Sequence, residues 1–283
     1  MAELWKGAPA AAALTEELKT RTENLKAKGV QPCLAILRIG ENPSDISYET
    51  GAMKRCAKIG IEVKQFILPA DYKEEELFAA VEEINSNDAI HGCLFFRPLK
   101  NKAHEDWICA NLKPAKDMDC ATSGSLATVF AGKGDGYGPC TAEAVMQILK
   151  HYGAELTGAK VTVIGRSLVI GKPVSMMLQK ANATVTMCHT RTRDLAGTCA
   201  GADILVAAAG KAKMAGADFV NENTIVIDVG INTDEDGNLC GDVDFAAAEP
   251  KCRAITPVPG GVGAVTTAIL ASHVIDAAEK AAN

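Results

Sequence analysis

The chain has 283 residues, 48% of them hydrophobic and 23% charged, with a formal net charge of −6. This length holds one large or two ordinary domains. The negative charge argues against binding to nucleic acid or to an anionic membrane surface, and the apolar runs are far too short to cross a bilayer. Ten scattered cysteines without a CxxC pair indicate reduced thiols rather than disulfides or structural zinc. We therefore expect a cytoplasmic protein without a signal peptide and without a metal site.

The first half of the chain alternates helical and strand patterns, which indicates an α/β unit. In chain order we predict a helix, a strand, a helix ended by Gly60, a strand, a helix and a strand, over residues 8–28, 33–38, 46–59, 61–68, 73–87 and 91–96.

The second half also alternates, with helical patterns between several strands, and this order favours a parallel sheet with crossover helices. We predict strands at 160–164, 184–188, 204–208, 224–229 and near 254–256. The Gly-rich segment before Pro139 marks a boundary. The prediction is an N-terminal domain over 1–138 and a C-terminal domain over 139–265, with the last helix, 266–283, packed back on the first domain.

A glycine-rich turn, Gly165 to Gly171, separates a β-branched strand from a helix with proline in its first turn. Backbone N–H groups and the positive end of a helix dipole meet at such a turn and favour a phosphate. The G-R-S-x-x-x-G pattern differs from the common G-x-G-x-x-G fingerprint. It therefore predicts a nucleotide site at Gly165, Arg166, Ser167 and Gly171, with an ordinary strand-to-helix turn as the alternative.

The next strand ends in His189, Thr190 and Arg191. In a doubly wound sheet the end of the second strand meets the adenosine ribose, where an acidic residue would bind a free 2′-hydroxyl. Cationic and hydroxyl groups suit a 2′-phosphate instead. We therefore expect NADP rather than NAD, with NAD still possible; the alternative is that the arginines are merely solvated.

A third segment, Thr256 to Gly263, holds two prolines and three glycines in eight residues. These residues impose an unusual backbone path, and the glycines allow a ligand to approach closely. We interpret the segment as a wall of a ligand site.

Together, several motifs resemble the methylenetetrahydrofolate dehydrogenase/cyclohydrolase family, in the right order over nearly the whole chain. They are Lys116-Asp117-Met118-Asp119, Pro139-Cys140-Thr141, Gly165-Arg166-Ser167, the segment Ile227–Asn232, the segment Gly241–Asp244 and the segment Pro257–Gly263. The resemblance implies two α/β domains with a cleft between them, the C-terminal one a Rossmann-like doubly wound parallel sheet, and a homodimer. Members of the family oxidise 5,10-methylenetetrahydrofolate with a nicotinamide cofactor, and many hydrolyse the methenyl product.

The resemblance also implies roles for individual residues. Tyr48 would stack on or orient the folate ring and take part in catalysis. Asp119 would accept hydrogen bonds from the pterin, since a carboxylate matches adjacent N–H groups; the alternative for it is a helix cap or a turn. Pro259, Gly260 and Gly261 would line the substrate, and Ile231 would contact the cofactor.

The chain departs from the family pattern at two polar positions of the folate site. The lysine of Tyr-x-x-x-Lys falls on Ala52, and the glutamine of V-Q-L-P-L-P falls on Phe96. On an α-helix, Lys54 points away from Tyr48, while Arg55 returns to the same side. Arg55 is the predicted substitute cation, with Arg97 a second candidate, and a surface charge is the alternative for each.

Hydride transfer needs mainly proximity and orientation, whereas hydrolysis of the methenyl cation needs proton transfers for which a tunable lysine matters. Arginine cannot readily supply them, because its pKa stays above about 12. The main hypothesis is therefore an NADP-dependent dehydrogenase with weak or absent cyclohydrolase activity. The alternatives are a bifunctional enzyme rescued by Arg55 or Lys54, and a non-catalytic protein that binds folate or NADP.

Overall fold

The computed structural model describes residues 1–282, which form two compact units. The three-stranded unit comprises Ala13–Cys140 and residues 267–282, and the six-stranded unit comprises Met1–Ala12 and Thr141–Thr266. The strands are β1 (Glu3–Leu4), β2 (Cys33–Ile39), β3 (Glu62–Leu68), β4 (Gly92–Phe95), β5 (Lys160–Ile164), β6 (Thr184–Cys188), β7 (Ile204–Ala207), β8 (Ile225–Asp228), β9 (Asn232–Thr233), β10 (Leu239–Cys240) and β11 (Ala254–Ile255). The helices are α1 (Gly7–Ala27), α2 (Pro43–Ile59), α3 (Glu74–Ser86), α4 (Lys102–Asn111), α5 (Ser123–Ala131), α6 (Cys140–His151), α7 (Gly171–Lys180), α8 (Leu195–Ala200), α9 (Phe245–Ala248) and α10 (Thr266–Ala281).

The sheet of the three-stranded unit has the order β3-β2-β4, and both pairings are parallel. The central strand β2 is an almost unbroken apolar run, as expected for a strand covered on both faces. Its side chains pack against Leu77 and Ile84 of α3 and against Ile108 of α4. The carboxyl ends of all three strands therefore lie at one edge, from which α2 and the loop after β4 begin.

Helix α2 begins three residues earlier than predicted. The Asn42 side chain caps it by accepting from the Ser44 N–H at 2.9 Å, and Pro43 occupies the first turn. At the other end Gly60 adopts φ 92°, the left-handed conformation that a helix C-cap needs. The cap, rather than apolar periodicity, fixes the start of the helix.

The sheet of the six-stranded unit has the order β1-β11-β8-β7-β5-β6, and every pairing is parallel. The chain runs from β5 outward to β6 and then returns to the other side of β5 for β7, so the strand order reverses between β5 and β7. Ligands of doubly wound sheets bind at the carboxyl edge beside such a reversal. The predicted α/β class, with a Rossmann-like parallel sheet in the C-terminal half, is confirmed.

The division into units differs from the predicted boundary at the N-terminus. The first twelve residues group with the six-stranded unit instead of the N-terminal domain. The reason is a two-residue strand: β1 pairs in parallel with β11, and the Gly7 N–H then donates to Gly260 at 2.8 Å. Such a short strand leaves no periodic signal in a sequence.

The C-terminal helix α10 lies mainly in the three-stranded unit. Arg21 of α1 bonds to it, with its Nη2 atom 2.5 Å from Asp276 Oδ1 and 2.6 Å from Glu279 Oε2. These carboxylates raise the pKa of the arginine. Within residues 1–282, no helix combines the length and apolar character needed to span a membrane.

Candidate active site

The predicted phosphate turn lies at the carboxyl end of β5. The Gly165 N–H donates to Cys188 at 2.9 Å, and Ser167 Oγ accepts from the Ile170 N–H at 3.2 Å just before α7 begins. Arg166 and Ser167 are exposed. The turn thus presents a cation, a hydroxyl and the start of a ten-residue helix to solvent, which are groups that suit a phosphate.

Two glycines of this turn have no room for a side chain. Gly165 has φ 124°, and a Cβ there would overlap the carbonyl oxygen of Ala208 at the end of β7. A Cβ on Gly171 would overlap the Gly165 carbonyl oxygen. The backbone of the turn therefore packs closely at the reversal between β5 and β7, and its exposed side fits the phosphates of a dinucleotide.

The second predicted cofactor segment is the turn after β6. Since Ile164 pairs with Cys188, His189 directly neighbours the Gly165 turn. His189 Nδ1 accepts from the Arg191 N–H at 3.2 Å, so Nε2 carries the proton of the neutral ring. Thr190 and Arg191 are exposed. The sheet register thus brings the cationic groups of both turns to one edge.

On the three-stranded unit, Tyr48 lies in the first half of α2 and pairs with Phe96, which directly follows β4. The ring centroids are 6.2 Å apart and the planes meet at 84°, an edge-to-face arrangement. The adjacent Glu49 is buried and bonds to Arg38 Nε and Gln65 Nε2, both at 2.5 Å. This network ties the helix carrying Tyr48 to β2 and β3.

The family's lysine position falls on Ala52, and the environments of this residue and of the nearby cations Lys54 and Arg55 differ. Ala52 is fully buried, and Lys54 is exposed. Arg55 is half-buried, and its guanidinium donates to Thr15 Oγ1 at 2.7 Å and to Thr267 Oγ1 at 3.4 Å. The guanidinium therefore joins α2 to α1 and α10. This geometry favours a structural role over the catalytic role predicted for Arg55, because its donors serve helix contacts.

Asp119 follows a short segment that bridges to β4 in parallel, with Asp117 opposite Cys93. Asp119 Oδ1 accepts from the Cys140 N–H at 2.7 Å at the first residue of α6. Burial raises the pKa of the Asp119 carboxyl, which the Cys140 hydrogen bonds oppose. One oxygen therefore caps a helix, the alternative weighed for this residue. The role of the carboxylate toward a pterin stays a prediction.

The segment Thr256–Gly263, with its two prolines and three glycines, belongs to the six-stranded unit, whereas Tyr48 and Asp119 belong to the three-stranded unit. Pro259 and Gly260 are exposed. Gly261 is buried, and a Cβ there would lie 2.6 Å from the Pro257 carbonyl oxygen. Two of the three predicted residues thus lie at the surface of the unit, and the third allows the loop to fold tightly.

Sequence reasoning gave no role to Asp228 and Asp242, although both lie in motifs that carried the family resemblance. Both carboxylates are buried at the ends of β8 and β10 and accept backbone N–H groups. Cys140, the donor to Asp119, was also given no role. In the part of the chain that the structure describes, no group of three His, Cys, Asp or Glu side chains could hold a metal ion.

Two family models together match most of the chain. The model of the tetrahydrofolate dehydrogenase/cyclohydrolase catalytic domain matches residues 5–119, and that of the NAD(P)-binding domain matches residues 139–282. The "Bifunctional protein FolD" of Carboxydothermus hydrogenoformans is 50% identical over 281 residues, which are 99% of this chain and 98% of that protein. The protein of the same name from Clostridioides difficile is 48% identical over 97% of this chain and 96% of its own length.

Solved structures agree over the same extent. The bifunctional FolD enzyme of Campylobacter jejuni matches with a TM-score of 0.93 at 36% identity, covering 99% of both chains. The Trypanosoma brucei methylenetetrahydrofolate dehydrogenase-cyclohydrolase, solved with NADP and an inhibitor, matches with a TM-score of 0.89 at 31% identity, covering 99% of this chain and 98% of that one.

The contacts of Arg55 lead to a prediction that separates stability from catalysis. Arg55→Met removes the hydrogen bonds to Thr15 and Thr267, so we expect the free energy of unfolding to fall by about 1–2 kcal/mol. Turnover per folded molecule should stay close to that of the wild type. Lys58→Met, at an exposed position of the same helix, is the matched control and should change neither. Denaturant unfolding and initial-rate assays measure the two effects; a large loss of turnover at unchanged stability would restore the catalytic role.

Proposed function

Because the chain belongs to the tetrahydrofolate dehydrogenase/cyclohydrolase family, we propose that it oxidises 5,10-methylenetetrahydrofolate to 5,10-methenyltetrahydrofolate with NADP as hydride acceptor. The observation that carries the proposal is the turn at Gly165, whose closely packed backbone and adjoining cations fit a phosphorylated dinucleotide. The relative from Trypanosoma brucei was solved with NADP, which supports the same cofactor. When bound, the nicotinamide accepts a hydride at its C4 atom.

The chain's own residues bind and orient the two reactants. The turn Gly165–Ser167 and the start of α7 hold the pyrophosphate, Arg166 and Arg191 supply positive charge for the 2′-phosphate, and His189 donates from Nε2 beside them. Thr190 adds a hydroxyl beside them, and Ile231 contributes an apolar contact.

On the folate side, Tyr48 orients the ring system and Asp119 accepts pterin N–H groups. Pro259, Gly260 and Gly261 contribute backbone to the substrate site. Tyr48 and Asp119 orient the substrate for hydride transfer, which gains its rate mainly from proximity and orientation.

A cyclohydrolase activity is the second candidate function. The relatives are named bifunctional, and these names support the bifunctional alternative better than a dehydrogenase alone. Three features favour weak hydrolysis instead: position 52 is a buried alanine, position 96 is a phenylalanine packed on Tyr48, and Arg55 bonds to two threonines. None of these three side chains can activate a water molecule or transfer its proton at neutral pH.

Two further proposals concern the protein in the cell. The family resemblance supports a homodimer, which sedimentation of the purified protein tests. The ten cysteines are all free thiols, which favours a reducing compartment and so the cytoplasm.

One assay separates the three functional hypotheses. Purified protein is mixed with 5,10-methylenetetrahydrofolate and either NADP or NAD, and the absorbances of reduced cofactor and methenyl product are followed together. We expect reduced cofactor, faster with NADP, and a methenyl product that persists because no base hydrolyses it. Methenyl decay as fast as its formation would establish the bifunctional enzyme. No reduction with either cofactor would support the non-catalytic protein.

Restoring one polar group tests the reason given for weak hydrolysis. Phe96→Gln places an amide beside Tyr48, so we expect a higher ratio of cyclohydrolase to dehydrogenase rate. Phe130→Gln, at a side chain that is 79% exposed on α5, is the control and should leave the ratio unchanged. An equal ratio in wild type and Phe96→Gln would remove position 96 from the explanation.

The assignment of Asp119 predicts a change in substrate affinity. Asp119→Asn keeps an oxygen for the Cys140 N–H but replaces the second acceptor by a donor, so we expect a rise in folate KM of about tenfold or more. Asp117→Asn is the control, because Asp117 caps the following turn through the Ala121 and Thr122 N–H groups and should alter stability only. Unchanged folate kinetics in Asp119→Asn would refute the binding role.

A further inference from the structure

Asp228 is a buried carboxylate at the end of β8 whose partners are backbone N–H groups. Only 4% of the residue is exposed. Its oxygens accept from the backbone N–H groups of Gly230 at 3.0 Å, Asp242 at 3.0 Å and Val243 at 2.9 Å. Burial raises the pKa of Asp228 to about 6, and these hydrogen bonds oppose the rise. The carboxylate thus ties its own turn to the segment that follows β10.

Asp242, in the segment that follows β10, also accepts several backbone N–H groups. It is fully buried and accepts from three successive backbone N–H groups after β7, those of Ala209 at 2.5 Å, Gly210 at 3.0 Å and Lys211 at 2.9 Å. Its Oδ1 also accepts from Asn232 Nδ2 at 2.9 Å. Three loops at the carboxyl edge of the sheet therefore meet on two carboxylates.

Two glycines of these loops lie directly against the two carboxylates. A Cβ on Gly241 would overlap the carboxylate of Asp228, and a Cβ on Gly230 would overlap the carboxylate of Asp242. Asp228 therefore lies against Gly241, which directly precedes Asp242, and Asp242 lies against Gly230, two residues after Asp228. We call this arrangement of Asp228, Gly230, Gly241 and Asp242 the carboxylate interlock.

The turn that the interlock holds carries an exposed apolar side chain. Ile231 is 72% exposed. Its two neighbours are fixed, since the Gly230 N–H donates to Asp228 and Asn232 Nδ2 donates to Asp242. A large apolar side chain held rigidly in solvent gains nothing for folding, but it lowers the ordering cost of binding an apolar surface.

We propose that the carboxylate interlock makes Asp228 and Asp242 positioning residues, which hold Ile231 as a fixed apolar face for a planar ring of the nicotinamide cofactor. The inference rests on the proposed NADP site. Ile231 follows β8 at the same carboxyl edge as the Gly165 turn, and β8 lies two strands from β5. The loop after β7, whose N–H groups bind Asp242, comes between them. The carboxylates act through Ile231 and the backbone rather than by contact with the cofactor.

A double-mutant cycle on NADP affinity tests this inference. Calorimetric titration gives the Kd of NADP for the wild type, Ile231→Ala, Asp242→Asn and the double variant. We expect each single substitution to weaken NADP binding about tenfold. Ile231→Ala removes the apolar contact, and Asp242→Asn releases the turn that places Ile231. The double variant should bind no more weakly than the weaker single variant, because both changes remove the same contact.

Asp244→Asn is the matched control. Asp244 lies two residues after Asp242 and also accepts a backbone N–H, that of Ala247 at 3.2 Å, but it caps the short helix α9. We expect it to lower the melting temperature, leave the Kd of NADP unchanged and act additively with Ile231→Ala. If Asp242→Asn fails to fold, Asn232→Ala, which removes only the side-chain donor to Asp242, takes its place in the cycle with the same expected coupling.

The outcomes distinguish this inference from the proposed function. The positioning role alone would be overturned if the wild type binds NADP and Asp242→Asn binds it with unchanged affinity. Losses of affinity that multiply in the double variant would overturn it too. Absence of NADP binding by the wild type would overturn the proposed function, and this inference with it. A purely structural role of Asp242 would lower the melting temperature as Asp244→Asn does, without coupling to Ile231.

Discussion

The arrangement of this protein depends on one constraint, that parallel strands all end at the same edge of their sheet. In the six-stranded unit this brings the turns after β5, β6, β7 and β8 together, although the chain separates the first from the last by more than sixty residues. In the three-stranded unit it places the start of α2 and the loop after β4 side by side, so that Tyr48 reaches Phe96. Each group of candidate residues is local in space because of strand direction.

Loops collected at such an edge leave many backbone N–H groups without strand partners, and this chain satisfies several of them with aspartates. Asp228 and Asp242 take six backbone N–H groups, and Asp117 takes two more in the other unit. A carboxylate that accepts several N–H groups can stay ionised when buried without a cationic partner. The exposed arginines Arg166 and Arg191 are therefore not needed to neutralise these aspartates.

The sequence was sufficient where a signal is local and insufficient where a partner is distant. The strand at Lys160–Ile164 and the glycine turn after it could be predicted, because β-branched residues, glycine and a first-turn proline act on their own neighbours. The start of α2 was missed by three residues because Asn42 fixes it as a cap. Strand β1 was missed because it has two residues and pairs with the distant strand β11. For the same reason helical spacing placed Arg55 on the side of Tyr48, while Thr15 and Thr267, which bind it, could not be foreseen.

On the folate side the two candidate activities make different demands on the same few residues. Dehydrogenation and hydrolysis share a substrate position but make different demands on it, since the first needs orientation and the second needs a base and a water molecule. The edge-to-face aromatic pair and the buried alanine at these positions supply no group that could activate water. If hydrolysis is weak in this chain, the cell must hydrolyse the methenyl product by a separate reaction, because dehydrogenation alone ends at that cation.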